Sequence, residues 1–175
     1  MNYYTGIGAR QTPADVLKEM TILASGLEQY GYRLRSGGAD GADSAFEVGV
    51  SDPRNADIFL PWPNFNNNSS ALSTICFEAY DMAKHYHPAW DKCSSAARKF
   101  HARNCYQILG RNLDTPSQFV LCWTPNGAIT GGTGQALRIA EDRDIPIFNM
   151  GSNGWESNFD AYMMANIVAD CVLGE

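Results

Sequence analysis

Hydrophobic and polar positions along this chain alternate between two periods. From residue 12 to about 30, Val16, Leu17, Met20, Leu23, Ala24 and Leu27 recur every three or four positions, the spacing of one helix face. Thr12 and Pro13 offer an N-cap and a first-turn proline, and Gly31 ends the segment. Strand-like runs stand between helix-like ones: NYYT (2–5), YRLR (32–35), DIFL (57–60), FVLCW (119–123) and IPIF (145–148). FVLCW is almost continuously apolar, as a strand covered on both faces must be. Further helices are expected from the second glycine turn to about 50, and over 71–86, 88–109, 135–143 and 158–172. This order predicts an α/β fold, a mainly parallel sheet with helices on both faces and right-handed crossovers. No repeat, low-complexity tract or linker interrupts residues 1–175, so a single domain is expected.

Loops leaving the carboxyl ends of parallel strands share one edge of the sheet, where ligands bind. Three such loops are rich in glycine: GIGAR (6–10), SGGADGAD (36–43) and TGGTGQA (130–136). Glycine lets backbone amides approach a ligand, and the helix that follows opens with unpaired N–H groups and partial positive charge. Together they point to an anion or nucleotide site. No Lys-Ser/Thr pair follows any of them, and GIGARQ lacks a third glycine. ATP hydrolysis of the Walker type and nicotinamide hydride transfer are therefore disfavoured. Asp40 and Asp43 have two available roles, capping a helix or accepting hydrogen bonds from ribose hydroxyls or a base amine.

Composition narrows the picture. Of 175 residues, 45% are hydrophobic and 18% charged, and the net charge is −6, which argues against a whole-surface nucleic-acid binder. A local reversal exists: Lys84, Lys92, Arg98, Lys99, Arg103 and Arg111 face a single acid, Asp91. That segment is a candidate phosphate clamp or single-stranded DNA track. Cys76, Cys93, Cys105, Cys122 and Cys171 never form a CxxC pair. With no signal peptide and no apolar run of membrane-spanning length, a reducing, cytoplasmic setting without membrane association is expected. His85, His87, Cys93, His101 and Cys105 match no standard zinc spacing, so neither a metal nor a cofactor is expected. Trp123, just before the third glycine loop, is a candidate for stacking on a base, as is Trp62.

SGGADGADSAFEVG (36–49) resembles the SGG-x-x-G-x-D-x-x-A-x-x-G signature of the DNA-processing protein A (DprA/Smf) family, part of the SLOG superfamily. PNFN (63–66) resembles that family's P-x-x-N, FHARN (100–104) its F-x-x-R-N, and GGTGQALRIA its later glycine turn. YTGIGARQTP is similar to the opening of small stand-alone members from bacteria and phages. The resemblance spans residues 2 to 150 and implies a Rossmann-like fold. Together with the glycine turns it gives candidate ligand-binding residues Gly6, Gly8, Arg10, Ser36, Gly37, Gly38, Asp40, Asp43, Arg103, Asn104, Gly131, Gly132, Thr133 and Gly134, to which Trp123 is added by its position before the third turn. The related cytokinin-activating enzymes carry a glutamate after P-G-G-x-G-T; here that position holds Leu137 or Arg138. If the chain is an enzyme, a nucleotide N-glycosidase, its carboxylate comes from Asp40, Asp43 or Glu47. The expectation is a nucleotide-like small-molecule ligand, sensed, sequestered or cleaved, in a homodimeric protein. The alternative is a single-stranded DNA-binding accessory of DNA processing or recombination.

Overall fold

The computed structural model describes residues 2–173, with side chains as far as Asn166; the Cys171 side chain lies outside the described residues. Five strands, β1 (Asn2–Gly8), β2 (Tyr32–Ser36), β3 (Ala56–Ile58), β4 (Phe119–Trp123) and β5 (Ile147–Asn149), form one sheet in the order β3-β2-β1-β4-β5. Every pairing is parallel. The chain builds outward from β1 in one direction to β3, then crosses to β4 and builds the other way. Helices α1 (Ala14–Gln29) and α2 (Ala42–Gly49) therefore cover one face, and α3 (Phe77–Tyr86), α4 (Ser95–Leu109) and α5 (Gly131–Asp142) the other. The last helix, α6 (Trp155–Leu173), returns to the first face, where Phe159 packs on Phe119 and Phe148. This is the α/β, Rossmann-like arrangement.

Strand alternation sorts the core into two layers. Tyr4, Leu34, Phe119 and Leu121 point toward α1, α2 and α6; Ile7, Val120 and Cys122 point toward α4 and α5. Among the described residues no helix is long and apolar enough to cross a membrane.

Several boundaries differ from those the residue pattern predicts. Strand β1 runs on to Gly8 because its register with β4 continues through Gly6–Leu121 and Gly8–Trp123, so much of the first glycine turn is strand. Thr12 does not cap α1: Pro13 occupies that position, and the Thr12 hydroxyl donates to the Ala9 carbonyl. Strand β3 stops at Ile58, after which the Leu60 amide turns to Leu72. The helices expected from 71 and 88 begin at Phe77 and Ser95, the second under a Ser94 cap on the Ala97 amide. Helix α5 starts at Gly131, four residues earlier than 135, which puts the glycines in its first turn. Strand β5 and helix α6 occupy 147–149 and 155–173 where 145–148 and 158–172 were expected.

Candidate functional site

Strand order reverses between β1 and β4, and a cavity of about 500 Å³ opens beyond their carboxyl ends. Its wall includes Gly8 at the end of β1 and Arg10 beyond it, Asp43 from α2, Phe100, His101, Arg103, Asn104 and Gln107 from α4, Thr124 after β4, and Thr130 to Thr133 at the start of α5.

Asp43 and Arg103 come from helices on opposite faces of the sheet and meet above its edge. The Arg103 Nη1 lies 3.4 Å from the Asp43 Oδ2, with both side chains almost completely buried. Burial pushes the Asp43 carboxyl up from its ordinary range, opposed by Arg103 and by the Ala39 and Gly8 amides. Burial likewise works against the Arg103 charge, with Asp43 opposing. Gln107 completes the arrangement: its amide oxygen accepts from Arg103 Nη1 at 3.2 Å and from the Gly37 amide at 3.0 Å, and its NH₂ donates to Asn104 Oδ1. A Cβ at residue 37 would stand 1.1 Å from Arg103 Nη1, so only glycine admits this guanidinium. Arg103 Nε is buried and has no hydrogen-bond partner among the described residues.

The opposite wall is the start of α5. Asn104 Nδ2 donates to the Gly132 carbonyl at 3.0 Å and to Gln135 Oε1 at 3.1 Å, tying the first turn to α4. The Thr130 side chain makes no capping bond. Beyond its own helix backbone, no atom lies within 4 Å of where a Cβ would stand on Gly131 or Gly132, so the helix start faces open space there. The turn before it is pinned by Asn149, whose Oδ1 accepts from the Thr124 amide and whose Nδ2 donates to Thr124 Oγ1. Phe100 lies between two cations, with the Arg10 and Arg103 guanidinium carbons 6.0 and 5.8 Å from its ring centre. Trp62 and Phe65 each pack edge-on against it. Burial, then the charges of His87, Arg103 and Arg138, push the His101 imidazole down to about 4, so it is neutral at neutral pH.

Of the residues singled out in the sequence, Gly8, Arg10, Asp43, Arg103, Asn104, Gly131, Gly132 and Thr133 line this cavity. The others stand behind or beside it. Gly6 is packed under Phe46 and Leu34, and Ser36 donates to the Gly6 carbonyl. Gly38 faces Leu60 and Ile58, Gly134 abuts Ile129, and Trp123 packs with the α1, α2 and α6 layer. Asp40 is exposed and accepts from Asn66; Glu47 accepts from Asn68. Neither Asp40 nor Asp43 caps α2, since Gly41 holds that position without a side-chain bond. Gln107, Thr124 and Gln11 also line the cavity and carried no signal in the sequence. The basic segment divides: Arg103 is buried, Arg98 stacks on Trp90 and donates to its carbonyl, and Lys84, Lys92 and Arg111 are exposed.

A scan against protein-family models finds no match, and neither does a comparison with curated proteins. Among solved structures, DNA-processing protein A from Helicobacter pylori, studied for its single-stranded DNA binding mode, is similar to this chain with a TM-score of 0.53 and 19% identity. The fold is DprA-like. The match covers 85% of this chain but only 64% of that one, so this chain spans under two thirds of its structural neighbour. At this identity the likeness speaks for the architecture alone.

Proposed function

We propose that the cavity receives a nucleotide unit of single-stranded DNA, with the phosphate on the α5 start and Arg10, and the base or sugar toward Phe100. The observation that carries this reading is the convergence, in one cavity at the strand-order reversal, of an uncovered helix start and the Arg10 guanidinium beside the Phe100 ring. Both are donors fitted to phosphate oxygens. The neighbour's reported single-stranded DNA binding supports the same choice. Because the basic segment does not form a continuous face, the contact is short, and sequence-specific base readout is not expected of it.

A second reading is favoured by the cavity's size and the overall charge of −6: a free nucleotide or nucleotide derivative, held as in a SLOG-type sensor or cleaved at its N-glycosidic bond. Asp43 is the one Asp or Glu among the described residues lining the cavity. Hydrolysis would therefore fall to it, with its proton affinity already raised by burial.

Fluorescence anisotropy with labelled oligothymidylates, in competition with mononucleotides, tests the two together. Binding of oligonucleotides that mononucleotides displace only weakly upholds the first reading. Tight mononucleotide binding without oligonucleotide binding replaces it with the second, and no binding of either removes both.

A further inference from the structure

Three side chains that the DNA-binding reading leaves unused meet beside the cavity. His87 ends α3, Cys93 follows a short turn at Trp90–Lys92, and His101 sits midway along α4. Their nearest ligating atoms all lie within 4.8 Å of one another. The Cys93 Sγ is 3.7 Å from each ring nitrogen of His87, and the His87 and His101 ring centres are 4.2 Å apart. His85 and Cys105 do not belong to this group.

We propose that His87, Cys93 and His101 form a binding site for a zinc-class divalent ion at the cavity's edge.

The geometry is close to what such an ion requires. With metal–ligand bonds of about 2.0–2.3 Å, tetrahedral coordination places donor atoms roughly 3.3–3.6 Å apart. The present separations close to that by side-chain rotation in a short turn. The turn is itself organised, with the Lys92 amide on the Ala89 carbonyl, the Cys93 amide on the Trp90 carbonyl, and the His87 ring 6.3 Å from that of Trp90. The Ala89 amide donates to His87 Nδ1, so that nitrogen carries a lone pair. Ligation there releases the amide of an exposed residue to water, a small loss. His101 is only 9% exposed, and its Nδ1 has no partner among the described residues. A buried ring with an unmatched nitrogen is unusual without a compensating ligand.

The donor set chooses the ion. Two imidazoles and a thiolate suit zinc and neighbouring transition metals, whereas calcium and magnesium take oxygen donors, and the cluster contains none. The thiolate offsets part of the ion's charge beside Arg103, which lines the same cavity as His101. Three protein donors leave a coordination position open, the pattern of sites where water or a ligand oxygen completes the shell.

The test uses the full chain, stripped with a chelator and titrated with cobalt(II), which reports thiolate ligation by a charge-transfer absorption in the near ultraviolet. Zinc content after gel filtration is measured in parallel by elemental mass spectrometry. Cys76 is an exposed thiol outside the cluster, so Cys76→Ser is the control. The expected result is a charge-transfer band and stable zinc uptake in the wild-type chain and in Cys76→Ser. Affinity should fall by at least about tenfold in Cys93→Ser and in His87→Ala. A wild-type cobalt spectrum without the thiolate band overturns the proposal irrespective of any variant. So does uptake that survives in Cys93→Ser and His87→Ala, or that is lost equally in Cys76→Ser.

Discussion

Arg103 reaches Asp43 through the space that a side chain on residue 37 would fill: its Nη1 is 3.4 Å from Asp43 Oδ2 and 1.1 Å from where a Gly37 Cβ would stand. The ion pair, the glycine and the Gln107 amide are one device, and each can be removed separately.

Asp43→Asn leaves the Arg103 guanidinium buried without a counter-charge, and is expected to cost about 3–5 kcal/mol of stability. Replacing both partners by apolar residues, as in Asp43→Leu with Arg103→Met, should cost less than Asp43→Asn alone, because no uncompensated charge remains. Urea denaturation midpoints of the wild-type chain and the two variants measure the difference. Equal losses in the single and double variants would show that the pair's charges are not its main contribution.

Two glycines should respond in opposite ways. Gly37→Ala displaces Arg103 and is expected to lose at least about 2 kcal/mol. Gly132→Ala adds a methyl group to open space on a helix, so stability should change by no more than about 0.5 kcal/mol. That same methyl stands where a phosphate would approach, and oligonucleotide affinity should drop by about tenfold or more. Calorimetry on both variants separates folding from binding, and unchanged affinity in Gly132→Ala would place the ligand elsewhere.

Salt dependence measures the length of the contact. If Arg10 and the α5 start hold about two phosphates, log K for a single strand should fall with log salt at a slope near −1.4, since each phosphate contributes about −0.7. Arg10→Ala should make the slope shallower by about 0.7. A much steeper wild-type slope would mean that Lys84, Lys92 and Lys99 also track the strand.

Glu28 contributes to the acid limb of stability. Partial desolvation raises its proton affinity, but the Asn55 and Ser51 side chains and the Ser51 and Asp52 amides outweigh this and bring its pKa to about 2. The folded value lies below the unfolded one, near 4.3. Its stabilisation is therefore fully present above about pH 4.3 and lost as pH falls through about 2. The Tm difference between the wild-type chain and Glu28→Gln should be constant near neutrality and shrink as pH falls from about 4 toward 2. A difference that does not change with pH would contradict this.

Much of the architecture was legible because it rests on local periodicity. FVLCW, short and continuously apolar, reads as a strand covered on both faces, and the 3.6-residue rhythm from Val16 to Leu27 reads as a helix. Part of the cavity wall was legible residue by residue but not as an assembly. Asp43 and Arg103 each stood in a recognisable motif, whereas their pairing depends on two helices from opposite faces meeting above the sheet edge, which no local spacing encodes. Gly6 and Trp123 stand outside the cavity wall, Gly6 packed under Phe46 and Leu34 and Trp123 with the α1, α2 and α6 layer, a depth along the strand that no local spacing encodes. Gln107 was invisible because an amide inside a helix resembles any polar surface residue until its neighbours are known. His87 and Cys93 were obscured by the turn between α3 and α4, whose path brings them back to His101 at spacings no linear motif describes.

The central strand is also the first one made. Thr5 Oγ1 donates to the Gln107 carbonyl across 102 residues and lies 2.8 Å from the Ser117 hydroxyl across 112, and β1 gains its second neighbour only when residues 119–123 are available. During synthesis β1, β2 and α1 can associate early, but one edge of β1 stays open until residues 119–123 have left the ribosome. The cavity wall, drawn from β1, α4 and α5, is thus completed only after α5 has emerged, so a chain truncated before Phe119 would carry an unpaired strand edge and an incomplete cavity.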